Sequence, residues 1–311
     1  MKKIFNLIVS FVLLAGFSAC NKDGSDKPGL PPAPIPTVNY KGLTFISSGN
    51  STVCLAKVGA PDEITLEYST DESQWNPYTI GEKISLADGT FLLFRAGDQK
   101  NLTFSKGSDS YYHFEISGPV TAQGNIMSLL DRDFSTPLST NAFFALFEGC
   151  KSLLSAPELP AKALAYNCYG RMFKGCSALT YVPDLPATEM RVYCYNNMFA
   201  NCTSLKFAPE LPATRLDMGC YHCMFEGCTS LTSAPELPAT ELVSNCYEFM
   251  YKDCRNLRYV IGLFTTEPSE KTTKDWLCGV AASGTFIKSK KATWDVTGAD
   301  GVPEGWKIET W

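Results

Sequence analysis

The chain has little of what most catalysts need. It carries two histidines, His113 and His222, in 311 residues. That is a thin supply of groups that exchange protons near neutral pH. It has no Gly-x-Ser-x-Gly elbow, no His-Glu-x-x-His and no phosphate-binding glycine loop, so the local signatures of serine hydrolases, zinc proteases and P-loop enzymes are missing. A carboxylate pair for glycoside hydrolysis leaves no local trace, so that class stays open as the enzymatic alternative to a non-enzymatic chain. A basic excess is also lacking. The chain has 27 Lys and Arg against 32 Asp and Glu, a net charge of −5. Nucleic-acid partners need a positive footprint, so none is expected. The apolar run Ile4–Ala19, broken by Asn6 and Ser10, is too short for an ordinary membrane span. No cofactor is expected.

What the N-terminus does have is Met1-Lys2-Lys3 followed by that short apolar run, the layout of a secretion signal over residues 1–19. It ends Phe17-Ser18-Ala19-Cys20. Small residues before a cysteine resemble a bacterial lipobox, although Phe17 replaces the usual aliphatic residue. The resemblance implies cleavage before Cys20 and lipidation of its sulfur, and so a membrane partner through that anchor. The other readings are an ordinary cleaved signal with an incidental cysteine and an uncleaved anchor. Residues 20–37 then form a linker, with a turn at Pro28-Gly29 and the run Pro31-Pro32-Ala33-Pro34-Ile35-Pro36, which favours an extended spacer.

Residues 38–125 hold short apolar stretches such as Leu43–Ile46, Ile64–Tyr68 and Phe91–Phe94, separated by turn signals such as Ala87-Asp88-Gly89. This spacing predicts an antiparallel β-sandwich. Trp75, Tyr78, Tyr111 and Tyr112 could form a sugar-stacking platform or could be core and edge rings. Cys54 reads as a buried thiol.

The second half repeats. Cys150, Cys176, Cys202, Cys228 and Cys254 fall 26 residues apart, as do Cys168, Cys194, Cys220 and Cys246, and Pro157, Pro183, Pro209 and Pro235. A fixed period of this size is the mark of a solenoid. Cys168, Met172 and Phe173 lie at helical spacing, and Gly175 reads as a helix stop. Leu179 and Val182 then read as extended. The expected unit is a short helix, a turn and a short extended segment. The expected architecture is an α/β solenoid over 126–280, its first unit degenerate at Ser139–Pro157 and its last at Asp275–Ile287. A C-terminal cap over 281–311 contains Trp294, Trp306 and Trp311. The runs Met172–Leu179 and Met224–Leu231 resemble the BspA-like leucine-rich repeats of Bacteroides-type surface proteins. That resemblance implies a leucine-rich-repeat solenoid and adhesin-like binding of host or bacterial protein or glycan. It also places the chain at the outer membrane, on the cell surface. The Pro-acid-Leu-Pro loop departs from the family pattern.

The repeated cysteines are read as buried thiols, with disulfides as the rival. Cys220, His222, Cys223 and Cys228 look like zinc ligands in isolation, but Cys220 and Cys228 belong to the repeat columns, so no metal is expected. Glu158, Asp184, Glu210 and Glu236 keep the 26-residue period. Stacked at strand spacing they would form a ladder about 5 Å apart, repelling by roughly 0.8 kcal/mol per pair in water. Such a cost is tolerable with no function. The alternative is a site for a basic patch or a cation. Tyr181, Phe207 and Tyr259 share a second column and are expected to point outward as binding anchors. The bland alternative is that they fold over the prolines. A capture site on the N-terminal sandwich is the alternative location for glycan binding.

Overall fold

The computed structural model describes residues 42–98 and 102–311. The expected signal (1–19), Cys20, the linker (20–37) and the first residues of the 38–125 segment lie outside the described residues. The described residues all fall in one compact unit.

Its N-terminal part is two antiparallel sheets. The strands are β1 Leu43–Ser47, β2 Ser51–Val58, β3 Leu66–Ser69, β4 Asn76–Tyr78, β5 Ile84–Leu86, β6 Phe91–Ala96, β7 Ser105–Gly107, β8 Ser110–Ser117 and β9 Val120–Gln123. One sheet has the order β9-β1-β6-β3-β4 and is extended at its β9 edge by β10, Leu153–Ser155; the other has the order β5-β2-β8-β7. Alternating apolar residues put Phe45 and Phe94 of the first sheet against Phe114 of the second, with ring centroids 4.9 and 5.6 Å from Phe114. These edge-on and tilted contacts are favourable geometries for aromatic pairs.

The C-terminal part is a β-solenoid of about three turns. Strands β11 Ser233–Leu237, β12 Tyr259–Gly262, β13 Thr285–Lys288 and β14 Lys307–Thr310 pair in parallel in that order. Their register stacks Val260, Phe286 and Ile308 in one column and Tyr259, Thr285 and Lys307 in the next. In the earlier coils the prolines interrupt the ladder, as expected of a residue with no N–H. There the extended segments meet through single bridges, Ser155 with Tyr181 and Ala163 with Glu189.

The expected helix is corrected. No α-helix occurs among the described residues, and the solenoid is not α/β. Residues Ala165–Cys176 are instead a run of overlapping tight turns. The N–H groups of Cys168, Gly170, Met172 and Cys176 donate to the carbonyls of Ala165, Asn167, Tyr169 and Phe173, each three residues back. The third residue of each turn has positive φ: Asn167 +51°, Tyr169 +57°, Arg171 +56° and Gly175 +75°. That is the requirement of a type II turn. Gly175 therefore closes a turn rather than a helix. The N–H groups between these bonds point the other way. Those of Asn167, Arg171, Phe173 and Gly175 donate to Val192, Asn196, Met198 and Ala200 of the next coil, at 2.8–3.0 Å. A helix would spend all of these donors inside one coil. The turn run spends half of them between coils, which locks like residues above like.

Side chains inside the coil form continuous columns. Phe147, Phe173, Phe199, Phe225 and Tyr251 stack with centroids 5.3–5.6 Å apart and planes within 12°. Tyr169, Tyr195, Tyr221 and Tyr247 stack 5.9–6.2 Å apart beside them. The thiols of Cys176, Cys202, Cys228 and Cys254 each donate to the carbonyl 29 residues earlier, at 3.0–3.1 Å. Every described cysteine is a free thiol, and all but Cys278 are buried. The repeated cysteines are thus free, buried thiols, as expected, and each thiol of the Cys176 column is engaged by a carbonyl.

The two parts share a seam. Strand β10 pairs in parallel with β9, Leu153 opposite Val120. The Phe114 N–H donates to Leu146 at 2.7 Å, and the Phe114 ring stacks on Phe147 at 5.2 Å. At the far end, the Trp294 ring stacks on Phe264 at 5.3 Å. The indole N–H groups of Trp276 and Trp306 donate to Gly301 and Ala281, both at 2.8 Å. Trp311 stays 61% exposed.

Candidate functional site

The outer side of the extended segments carries both columns singled out in the sequence. Val182 and Val260 point into the core, and Tyr181 and Tyr259, one residue earlier, are half-buried; Phe207 is half-buried too, but so is Ala208 after it. Strand alternation explains the difference at Tyr181 and Tyr259. Glu158, Asp184 and Glu210 are exposed, and Glu236 is half-buried. Burial raises the Tyr181 phenol above its usual value, and the nearby carboxylates of Asp184 and Glu158 add to the shift. Tyr181 therefore lies within electrostatic reach of two members of the acidic column. Burial likewise raises the Tyr259 phenol, with Glu309 of β14 contributing. The remaining members of the aromatic column differ: Ser155 is buried and donates to Ala122, and Ser233 is half-buried.

The turn-run side separates the residues that resembled zinc ligands. Cys220 and Cys228 are fully buried in the core. His222 and Cys223 sit on the outer side with Asn196 and Glu248. The His222 Nδ1 lies 3.2 Å from Asn196 Oδ1, and its Nε2 lies 3.8 Å from Cys223 Sγ and 3.6 Å from Glu248 Oε2. No group of three His, Cys, Asp or Glu side chains among the described residues is placed to hold a metal ion. A thiol beside an imidazole also raises the question of nucleophilic chemistry. Burial, with Glu226 and Glu248 nearby, pushes the Cys223 thiol up to about 12. Burial pushes His222 down, against the opposing pull of Glu248 and Glu226. Both groups are therefore neutral at pH 7. A reactive cysteine needs the reverse, a thiolate stabilised by positive surroundings.

The four aromatic residues of the N-terminal part do not make a platform. Tyr78 and Tyr112 are buried. The Tyr78 hydroxyl accepts from the Leu55 N–H and donates to Glu82. The Arg95 guanidinium covers the Trp75 ring at 3.7 Å, and Tyr111 packs edge-on against Phe144. A depression of about 240 Å³ lined by Leu102, Thr136, Pro137, Leu138 and Ser139 is smaller than most small-molecule sites.

Sequence reasoning missed one exposed apolar cluster. Tyr166 is 48% and Met218 40% exposed. Tyr166 meets Tyr193 edge-on at 6.3 Å. The Tyr193 ring lies so close to Gly219 that a Cβ there would approach it to 2.4 Å. The available signal was a broken column: Asn141, Asn167 and Asn245 share a repeat position with Tyr193 and Gly219. The chain matches no family model, no curated protein and no solved structure.

Proposed function

We propose that this chain is a non-enzymatic binding protein that presents the outer face of its solenoid to a protein or glycan partner. The observation that carries the reading is the coexistence of half-buried rings and exposed carboxylates on one face of a rigid stack. Tyr181, Phe207 and Tyr259 supply large contact area at low entropic cost, and interface anchors are enriched in such residues. Glu158, Asp184, Glu210 and Glu236 supply charge that selects a partner with basic or hydroxyl-rich character. Repeat stacks use extended surfaces of this kind for recognition. The resemblance of the Met172–Leu179 and Met224–Leu231 runs to BspA-like surface repeats supports an adhesin-like role. The lipobox-like Phe17–Cys20 supports lipid attachment at Cys20 and a place on the outer membrane facing outward.

The test is a glycan and protein array probed with the chain and with a variant carrying Tyr181→Ala, Phe207→Ala and Tyr259→Ala. Binding to one class of ligand is expected, with at least a tenfold loss in the variant. Binding that survives removal of the three rings rejects the face. Labelling with a fatty-acid analogue, lost on Cys20→Ala, tests the anchor separately.

A further inference from the structure

The last strand of the solenoid ends in an edge that matches itself. Strand β14 has β13 on one side and, among the described residues, no strand on the other. Its register on β13, Lys307 opposite Thr285 through Thr310 opposite Lys288, fixes which groups are spent. The Lys307 N–H donates to Gly284 at 2.8 Å and the Trp311 N–H to Lys288 at 2.9 Å. In a parallel ladder alternate residues bond to the same neighbour. Residues 307, 309 and 311 therefore face β13. The N–H and C=O of Ile308 and Thr310 face away from β13, where the described residues supply no partner strand. Open edges of this kind are templates for further pairing.

We infer that β14 pairs antiparallel with β14 of a second copy of this chain, about a two-fold axis at Ile308. Two features of the strand fit that arrangement. First, parity: a two-fold axis in an antiparallel ladder can pass through a residue whose N–H and C=O both point at the partner, and Ile308 is such a residue. Second, charge: pairing about Ile308 sets Lys307 opposite Glu309 of the copy, and Glu309 opposite its Lys307. Opposite charges at directly facing positions stabilise a strand pair, and like charges destabilise it. Within one chain Lys307 and Glu309 already share the outer side of the strand, 2.6 Å apart. The inner side adds Ile308, which packs on the core beneath the Val260 and Phe286 column. The two isoleucines would carry that column across the axis. The exposed Trp311 adds apolar surface at the end of the outer side. This contact is isologous, the commonest kind in homo-oligomers.

Edge charges also serve to keep sheets apart, and the experiment separates the two roles. Sedimentation equilibrium of the full chain in density-matched detergent is compared for the wild type, Lys307→Glu, Glu309→Lys and the double reversal. The wild type is expected to approach twice the monomer mass as concentration rises. Each single reversal places two like-charged pairs across the axis and should weaken association about tenfold, equivalent to about 1.4 kcal/mol. The double reversal restores opposite charges and should restore association. A further variant, Ile308→Pro, removes an outward N–H while leaving the bonds from residues 307, 309 and 311 to β13. It should be monomeric, with an unchanged near-ultraviolet tryptophan signal showing that the cap is intact. A wild type that stays monomeric at every concentration overturns the inference, as does a dimer indifferent to the single reversals or to Ile308→Pro.

Discussion

Cys150, Cys194 and Cys228 are buried thiols whose ionisation burial pushes up to about 12, and burial pushes that of Cys246 to about 11, from an ordinary 9.0. The unfolded chain therefore loses these protons first. Between pH 9 and the raised values the native state holds more protons, so stability falls as pH rises, and it is fully present below pH 9. At pH 10 each such thiol should cost about 1.4 kcal/mol. Unfolding free energies from urea titrations at pH 8 and pH 10 should differ by several times that amount, with a lower midpoint at pH 10. Equal midpoints would mean that the thiols ionise as readily folded as unfolded. The burial of these cysteines was legible in the sequence, because each recurs with the repeat. The acceptors of the Cys176, Cys202, Cys228 and Cys254 thiols were not, since a carbonyl 29 residues earlier becomes a neighbour only once the coils stack. The ring columns show the same limit: Tyr169 and Tyr195 of the tyrosine column, and Tyr251 at the end of the phenylalanine column, bury hydroxyls with no hydrogen-bond partner, an arrangement that ordinary patterning argues against.

At the scale of the element, the turn run rests on residues that tolerate positive φ. Asn167 does so at +51°, and its side-chain amide donates to Asn141 Oδ1 of the preceding coil at 2.8 Å. Asn167→Ala should cost about 2 kcal/mol: about 1 for a Cβ-bearing residue in the left-handed region without asparagine's local bonding, and about 1 for the lost hydrogen bond. Asn167→Gly keeps the backbone freedom and should cost less. Thermal denaturation of the two variants checks the order; a glycine variant less stable than the alanine one would place the value of Asn167 elsewhere. The period was readable from spacing, but the unit's internal structure was not. Cys168, Met172 and Phe173 repeat at helical intervals, and over seven residues a string of turns produces the same intervals. What argued against a helix was the density of Asn and Gly at alternate positions, as in Asn167, Gly175, Asn197 and Asn201. Those residues favour the left-handed region. The alternation of half-buried Tyr181 with buried Val182 was readable because strand alternation is local. The Tyr166, Tyr193 and Met218 cluster was not, since it depends on Gly219 making room one coil away.

For the whole molecule, the seam makes the N-terminal sheets the first cap of the solenoid. Phe114 of β8 stacks on Phe147, and Phe147 opens the ring column that runs to Tyr251. Phe147→Ala should therefore destabilise sheets and coils together, by about 3–5 kcal/mol for a large buried ring. Calorimetry should show one transition moving to lower temperature, not two that separate. A sheet transition left unmoved would mean that the seam transmits little. The turn signals suggested a boundary near residue 125, but nothing local announces that β9 continues into a parallel partner 33 residues away.

The thiol row carries a consequence for how the chain must mature. Each sulfur meets its carbonyl only when its own layer is laid on the one before, so a half-wound chain exposes cysteines that the finished rod conceals. In any oxidising surroundings winding must outpace crosslinking, and a premature bridge between layers would jam the thread.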